Sequence, residues 1–535
     1  MLGLLLLLQA AGPSPLAQRF DPDSLRPRHR PLHYDVQIAI GDTGAHLVAQ
    51  VQSTWLLASE NPLEIQLDTA FRVVRVLLEG REATRLARTQ FAIQESGVYI
   101  PHEKRAGDTL RAAVRYHGSP RGGLVFTADP VHGPTVFADN WPDRAHRWLP
   151  LADHPSAKVT ADFHVEVPAG MQVVATGRLV RVDTLVRGRT AWHFRQAQPV
   201  PPYGLVIGVG RFAWTPLADA ACDVKCVPGA IVTAPHDSAW AVDGPFRRAA
   251  EIVSWMSRLV GPFPYDQLLH VQAATRFGGM ENPTAIFYAS ELYDTRSLDE
   301  GTVAHEIAHQ WFGDAVTEDD WRHLWLSEGF ATYLAALWAE HTEGVAGRRA
   351  ALARGAERVF ESPATSRPIL DRGSDDLLEL LNTNNYPKGA WVLHSLRGLL
   401  GDSVFFQGLR EYYQAFRHRT ALSSDFAEVM SRVSGVDLEW YFRQALTQPG
   451  YPRLDLVWKR EGRRLRLRIR QVQPADWGTY RLPGLVLEVD GRRIRAEVNG
   501  PETVVTVPEV RRDPERIVVD PDGWWLLQAS VSRER

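Results

Sequence analysis

The chain has 535 residues, of which 44% are hydrophobic and 23% charged, and its net charge is −3. At roughly 150 residues per domain this length allows three or four domains, and an ordinary apolar and charged content excludes a disordered or fibrous chain. A balance so close to neutral argues against nucleic acid or an acidic membrane surface as the main partner. The first feature in chain order is a Leu-rich apolar run at residues 2–11. It is too short to make a stable membrane span but suits the core of a signal peptide. Pro15-Leu16-Ala17 would then precede cleavage, which sets residues 1–17 apart as an expected signal peptide. No Lys or Arg occurs before Arg19, so the usual positive flank is missing. Export to the periplasm or the outside is the expectation, with a cytoplasmic location as the alternative.

From about residue 31 to residue 210, short alternating runs dominate. Tyr34-Val36-Ile38-Ile40, Leu63-Ile65-Leu67 and Phe163-Val165-Val167 are each closed by turn residues, a pattern that predicts an all-β region. Cys222 and Cys226 are the only cysteines. Along an extended strand their Cα atoms would stand about 13 Å apart, too far to bridge without a turn between them. A bridged pair and two reduced thiols both stay open. From about residue 227 to residue 448 the period lengthens, and residues 246–259, 391–400 and 403–416 read as amphipathic helices. Residues 268–274 and 285–288 are apolar enough to be strands within this part. After Gln448-Pro449-Gly450 the chain turns β-rich again. Arg464, Arg466, Arg468 and Arg470 alternate there with Leu465, Leu467 and Ile469, which describes a half-buried strand with a solvated cationic face. The expected division is residues 18–226 as an N-terminal β-domain, 227–450 as a mainly helical domain and 451–535 as a small β-sandwich.

The most informative element lies in the helical part: His305-Glu306-Ile307-Ala308-His309. Residues four apart project from one helix face, so His305 and His309 can clamp a Zn²⁺ with Glu306 beside its open position. A catalytic zinc needs a third protein ligand. Glu328, in Trp325-Leu326-Ser327-Glu328-Gly329-Phe330, supplies it nineteen positions after His309. Gly313-Asp314 is the expected stop of the first helix and Ser327 the expected N-cap of the second. The metzincin continuation is closed, because the positions that would carry its Gly and His hold Phe312 and Ala315. A structural zinc site is disfavoured too, since such sites are mostly cysteine-ligated and neither Cys lies nearby. The ligand set reads as a catalytic His₂Glu zinc.

Two further stretches stand in order around this motif: Gly278-Gly279-Met280-Glu281-Asn282 upstream and Tyr386-Pro387-Lys388-Gly389-Ala390 downstream. Together with residues 302–313 and 325–333 they resemble the zinc-binding core of the M1 aminopeptidases, the gluzincins that include leukotriene A4 hydrolase and aminopeptidase N. The resemblance runs from about residue 31 to about residue 452. It implies a saddle-like N-terminal β-domain, a thermolysin-like catalytic domain and a small C-terminal β-sandwich, hence a multidomain α+β fold. It also implies one Zn²⁺ per chain and cleavage of the N-terminal residue from peptides with a free N-terminus.

The chemistry expected of these residues follows. Coordination lowers the pKa of a zinc-held water to about 7, and Glu306 can take its proton and return it to the leaving amine. Tyr386 is the expected donor to the developing oxyanion; next to Pro387 it is biased out of the helix and so into a pocket. Glu281 can pair with the substrate's α-ammonium. Gly278, Gly279, Met280 and Asn282 complete the expected substrate-binding segment: the glycines allow close backbone approach and Met280 forms a flexible apolar wall. One departure stands out. Where the family adds a second amine anchor this chain has Trp141, preceded by Asp139 and Asn140. Either Asp139 replaces the anchor or Trp141 shapes a smaller first pocket. The other readings are a leukotriene A4 hydrolase-like epoxide hydrolase and a non-catalytic peptide-binding relative; a thermolysin-like endopeptidase is disfavoured by Glu281.

Overall fold

A computed structural model describes residues 14–20, 26–41, 45–82, 87–92, 95–129, 133–373 and 376–534. The fold is multidomain α+β, with a sheet-rich N-terminal part, a helical middle and a C-terminal β-sandwich. In the first part, eight strands form one sheet in which Arg30–Ile40 lies between Leu47–Leu56, antiparallel, and Val159–Pro168, parallel. The alternation read from the sequence is its physical basis. Tyr34, Val36, Ile38 and Ile40 are all buried on one face, because successive side chains of a strand point to opposite sides. A four-stranded and a three-stranded sheet complete this part, and its core continues without a break into the helical middle.

The sheet that matters for the site has five strands, in the order Ala213–Ala220, Val227–Thr233, Leu268–Ala273, Ala285–Ala289 and Gly279–Met280. Its pairing runs across the 226/227 division read from the sequence, since Ala213–Ala220 is hydrogen-bonded to Val227–Thr233. The turn joining these two strands folds back on itself, with Val224 and Lys225 both donating to the Ala221 carbonyl. That turn brings the Cα atoms of Cys222 and Cys226 to 3.9 Å, and the two are bridged. Gly279–Met280 is an edge strand, paired among the described residues with Ala285–Ala289 alone.

Behind this sheet stand the helix Glu300–His309, capped by the Asp299 carboxylate accepting from Thr302 N, and the helix Trp325–Glu343. Lys158 reaches from the N-terminal part into the loop between them, donating to the carbonyls of Asp314 and Ala315 and to Thr317 Oγ1. Residues 14–20 also lie on the helical middle: Leu16 is fully buried, Ser14 donates to Glu439 and Arg19 pairs with Asp319. The apolar run at residues 2–11 lies outside the described residues. Among the described residues, no helix is long and apolar enough to cross a membrane.

The C-terminal sandwich has a core of its own, built from Leu456, Leu465, Leu467, Leu485 and their neighbours. Within Arg464–Gln471, Leu465, Leu467 and Ile469 point inward, while Arg468 pairs outward with Glu534 and Arg470 with Glu502. Trp525 packs against both this core and the larger one.

Candidate active site

His305 and His309 occupy one face of the helix Glu300–His309, with their Nε2 atoms 3.0 Å apart. Glu328, one turn into the next helix, brings Oε2 to 3.3 Å from each of them. Four ligands arranged tetrahedrally around a zinc at about 2.0–2.1 Å stand about 3.3–3.4 Å from one another. The three donor atoms therefore already approximate one face of such a tetrahedron. The donor chemistry agrees. His309 Nδ1 lies 3.2 Å from the Phe312 carbonyl, to which it can donate. That bond selects the tautomer whose Nε2 carries the lone pair toward the site. These residues fit a zinc ion.

These three residues sit in a cleft of about 340 Å³, whose walls include Trp141, Met280, Glu281, Glu306 and Tyr386. Glu281, Glu306 and His309 lie close together, with one donor atom of each within 4.8 Å of the other two. Three buried carboxylates, Glu281, Glu306 and Glu328, thus crowd the floor of the cleft. Burial pushes Glu306 up to about 8 against the pull of His309, with Glu281 and Glu328 adding to the rise. Burial likewise pushes Glu281 up to about 7. For His309 burial works against the charged form, yet Glu328, Glu281 and Glu306 together raise it to about 10. Burial thus dominates the two carboxyl shifts, whereas the crowd of carboxylates around His309 outweighs burial there.

Gly279 explains how Glu306 fits. A Cβ there would stand 2.1 Å from Glu306 Oε1 and 2.3 Å from its Cδ. Only glycine lets the edge strand lie against this carboxylate. Met280 is buried and lines the cleft, as does Gly278. Asn282 is buried outside the lining, and its carbonyl closes the turn by accepting from Ala285 N. The outer edge of Gly279–Met280 is unpaired among the described residues, the kind of edge to which an extended chain can add as a further strand.

Tyr386 stacks parallel to the His305 ring, with centroids 6.1 Å apart and planes 9° apart. Burial, reinforced by Glu328, holds its hydroxyl well above the usual phenol range, so it stays a proton donor. The tyrosine is not ahead of a helix, as the neighbouring proline implied. It sits in a π-helical turn, Asn384–Lys388, that leads directly into Gly389–Leu400. The wider turn accommodates Pro387, which has no N–H to give; such turns recur at functional sites. Ser327 also differs from expectation. The second helix starts at Trp325, so Ser327 is not its N-cap; its Oγ lies 3.0 Å from His309 Nδ1.

Two positioning features escaped the sequence reading. Gln310, fully buried just after the HExxH residues, donates to the Glu281 carbonyl at 2.7 Å and to Asp314, and its Oε1 accepts from Thr284 N. It ties the Gly-Gly-Met-Glu-Asn turn to the zinc helix. Gly329 and Gly389 form the second: a Cβ on Gly329 would stand 2.9 Å from the Gly389 backbone. The glycines of two separate motifs thereby let Glu328 and Tyr386 approach each other. A glutamine after His309 and a glycine after Glu328 were visible in the sequence, but nothing local marked them.

Of the two readings for the amine-anchor departure, the structure favours the tryptophan. Trp141 forms part of the cleft wall, edge-on to Phe277 and Trp321. Asp139 lies outside the lining and is engaged by Arg144 at 2.6 Å and Arg276 at 3.0 Å.

The family model for the peptidase family M1 domain matches residues 247–444. Leucine aminopeptidase 2 of Aspergillus niger is 26% identical over 327 residues, covering 58% of this chain and 51% of that protein. Probable aminopeptidase 2 of Sulfurisphaera tokodaii is 26% identical over 474 residues, covering 82% of this chain and 56% of that protein. This chain thus spans about half the length of the curated relatives it matches. Among solved structures, an M1 zinc metallopeptidase from Deinococcus radiodurans superposes with a TM-score of 0.70 at 27% identity, covering 80% of this chain and 95% of that one. A mutant form of it bound to a Tyr-Ser-Ala substrate gives a TM-score of 0.68 at 27% identity, covering 78% and 94%.

Proposed function

We propose that the chain, which belongs to peptidase family M1, is a zinc aminopeptidase that removes the N-terminal residue from peptides. The observation that carries this is one constellation: three converging zinc donors, with Glu306 and Glu281 beside them in a single buried cleft. His305, His309 and Glu328 would hold one Zn²⁺ per chain. A bound zinc supplies Lewis acidity and an acidified water.

The chain's own residues do the rest. Glu306 takes a proton from the attacking water and delivers it to the departing amine. Its carboxylate is kept dry, which raises its basicity toward neutral pH and suits it to both transfers. Tyr386 donates to the oxygen that gains charge in the transition state; a donor of this kind contributes about 2.7–4 kcal/mol. Glu281 pairs with the α-ammonium, an ionic hydrogen bond that contributes roughly 1.5–3 kcal/mol. It thereby fixes the first residue at the metal and makes the enzyme an exopeptidase. Trp141 and Met280 form apolar walls beside that residue. The relatives' names favour this reading over the epoxide-hydrolase alternative. Export, suggested by the apolar run at residues 2–11, is part of the proposal and is tested by cell fractionation.

The deciding experiment compares free and N-acetylated aminoacyl anilides in wild type and Glu281→Ala, with and without 1,10-phenanthroline. Acetylation removes the charge that Glu281 needs, so kcat/KM should fall by tenfold or more in wild type. Glu281→Ala should narrow the gap by harming the free-amine substrate. Equal wild-type rates on both substrates would make the enzyme an endopeptidase.

A further inference from the structure

Beside His305 and Tyr386 lies a second, larger groove of about 690 Å³. Gly278, His305 and Tyr386 line both cavities, so the two adjoin beside one of the three proposed zinc ligands, His305. A peptide held by its ammonium at Glu281 and by its first carbonyl at the metal has its remaining residues to place, and this groove is the space that adjoins the scissile bond. Small residues, Ala335, Ala336 and Ala339, line it on the side of the helix Trp325–Glu343. They leave room for a backbone and offer no deep side-chain pocket.

The groove also carries charge. The neighbouring helix Val345–Glu361 contributes Arg354 and Arg358 to the lining. Residues four apart on a helix lie on one face with Cβ atoms about 5–6 Å from each other. Both arginines are exposed, and among the described residues neither has an ion-pair or hydrogen-bond partner. Most other arginines of this helical region are engaged: Arg348 pairs with Glu340, Arg367 with Asp371 and Arg397 with Asp402. Asp299 is the acidic group in the same lining, and its carboxylate already accepts from Thr302 N at 2.7 Å. The cavity system therefore has an acidic end, at Glu281 and Glu306, and a cationic end.

We propose that Arg354 and Arg358 form a carboxylate-binding subsite for the C-terminus of short peptide substrates, so that the enzyme prefers small peptides carrying both a free ammonium and a free carboxylate. This rests on the aminopeptidase reading and deepens it. A zwitterionic peptide complements the polarity of the groove end to end. An extended chain advances about 3.3–3.6 Å per residue, so one peptide length places its terminus best against the guanidinium pair. Guanidinium groups are suited to the task because they bind carboxylate in a planar, bidentate manner. Since both side chains are solvated, the gain is modest and salt-sensitive.

The test compares Leu-(Gly)n acids with the matching C-terminal amides for n from 1 to 4, in wild type and in Arg354→Gln/Arg358→Gln. The readout is the ratio of kcat/KM for acid over amide within each enzyme. For wild type we expect a ratio of roughly three- to tenfold at one length, falling as salt rises from about 0.05 to 0.5 M. In the double variant it should drop to about one at every length. Equal wild-type rates on acid and amide at all lengths would overturn the proposal. So would a ratio that persists in the double variant. Leu-(Gly)n-Glu amides form a separate arm: if they regain the full rate of the acids, the site reads an acidic side chain and not the terminus, which overturns the terminal assignment. Failure of the aminopeptidase reading looks different, because wild type would then release leucine from neither acid nor amide.

Discussion

Gly279→Ala is the sharpest test of how the site is assembled. The new Cβ would stand 2.1 Å from Glu306 Oε1, 2.3 Å from Cδ and 2.6 Å from Cγ. Ordinary contact begins near 3.4 Å, so the carboxylate must retreat by about 1.3 Å, the difference 3.4 − 2.1. A displacement of about 1 Å in a reacting group typically costs about 100-fold. We therefore expect kcat on leucine p-nitroanilide to fall by roughly 100-fold with little change in KM. Zinc content should stay at wild-type level, because no ligand is touched. Gly278→Ala is the comparison: its Cβ meets nothing closer than Leu292 Cδ1 at 3.7 Å, so its loss should be smaller by tenfold or more. A double-mutant cycle shows whether the effect runs through the base. If it does, Gly279→Ala/Glu306→Gln should be about as slow as Glu306→Gln alone, because residues acting as a unit are not additive. Losses that multiply, or a Gly279→Ala enzyme within threefold of wild type, would refute the argument.

Other outcomes follow from the same geometry. Glu306→Gln should keep its zinc, measured by atomic emission, while kcat falls by about 10²–10⁴. Tyr386→Phe should lower kcat by roughly 10²–10³ and leave KM nearly unchanged, since its hydrogen bond forms mainly in the transition state; near-normal kcat would return the residue to a packing role. Glu328→Ala should lower zinc content. Removal of zinc from wild type with 1,10-phenanthroline should abolish anilide hydrolysis until the metal is restored.

The sequence by itself determined that the two histidines stand together, because that information is local. His305 and His309 share a helix face by arithmetic of the α-helix, and the observed 3.0 Å between their Nε2 atoms needs no distant contact to be foreseen. The fold class was legible for the same reason: alternation of period two in Tyr34-Val36-Ile38-Ile40 and longer periods after residue 227 reflect which face each segment buries. The helix start and the turn around Tyr386 were misread from equally local cues. Ser327 resembles a cap in isolation, but its hydroxyl lies against His309. Pro387 resembles a helix boundary, but a π-turn carries the chain through it.

What only the tertiary structure decided depends on which distant segments share a space. Gln310 clamps the Glu281 turn, Gly279 yields room to Glu306, and Gly329 meets Gly389 across two helices. Each is a contact between residues that no local period relates. The fate of Asp139 belongs here as well, because two arginines claim it once Arg276 folds onto it. Burial patterns tell a residue whether to face the core, since the hydrophobic effect is non-directional. They do not say which residue it will face there: that choice is made by close packing and directed hydrogen bonds, which exist only once the chain has folded.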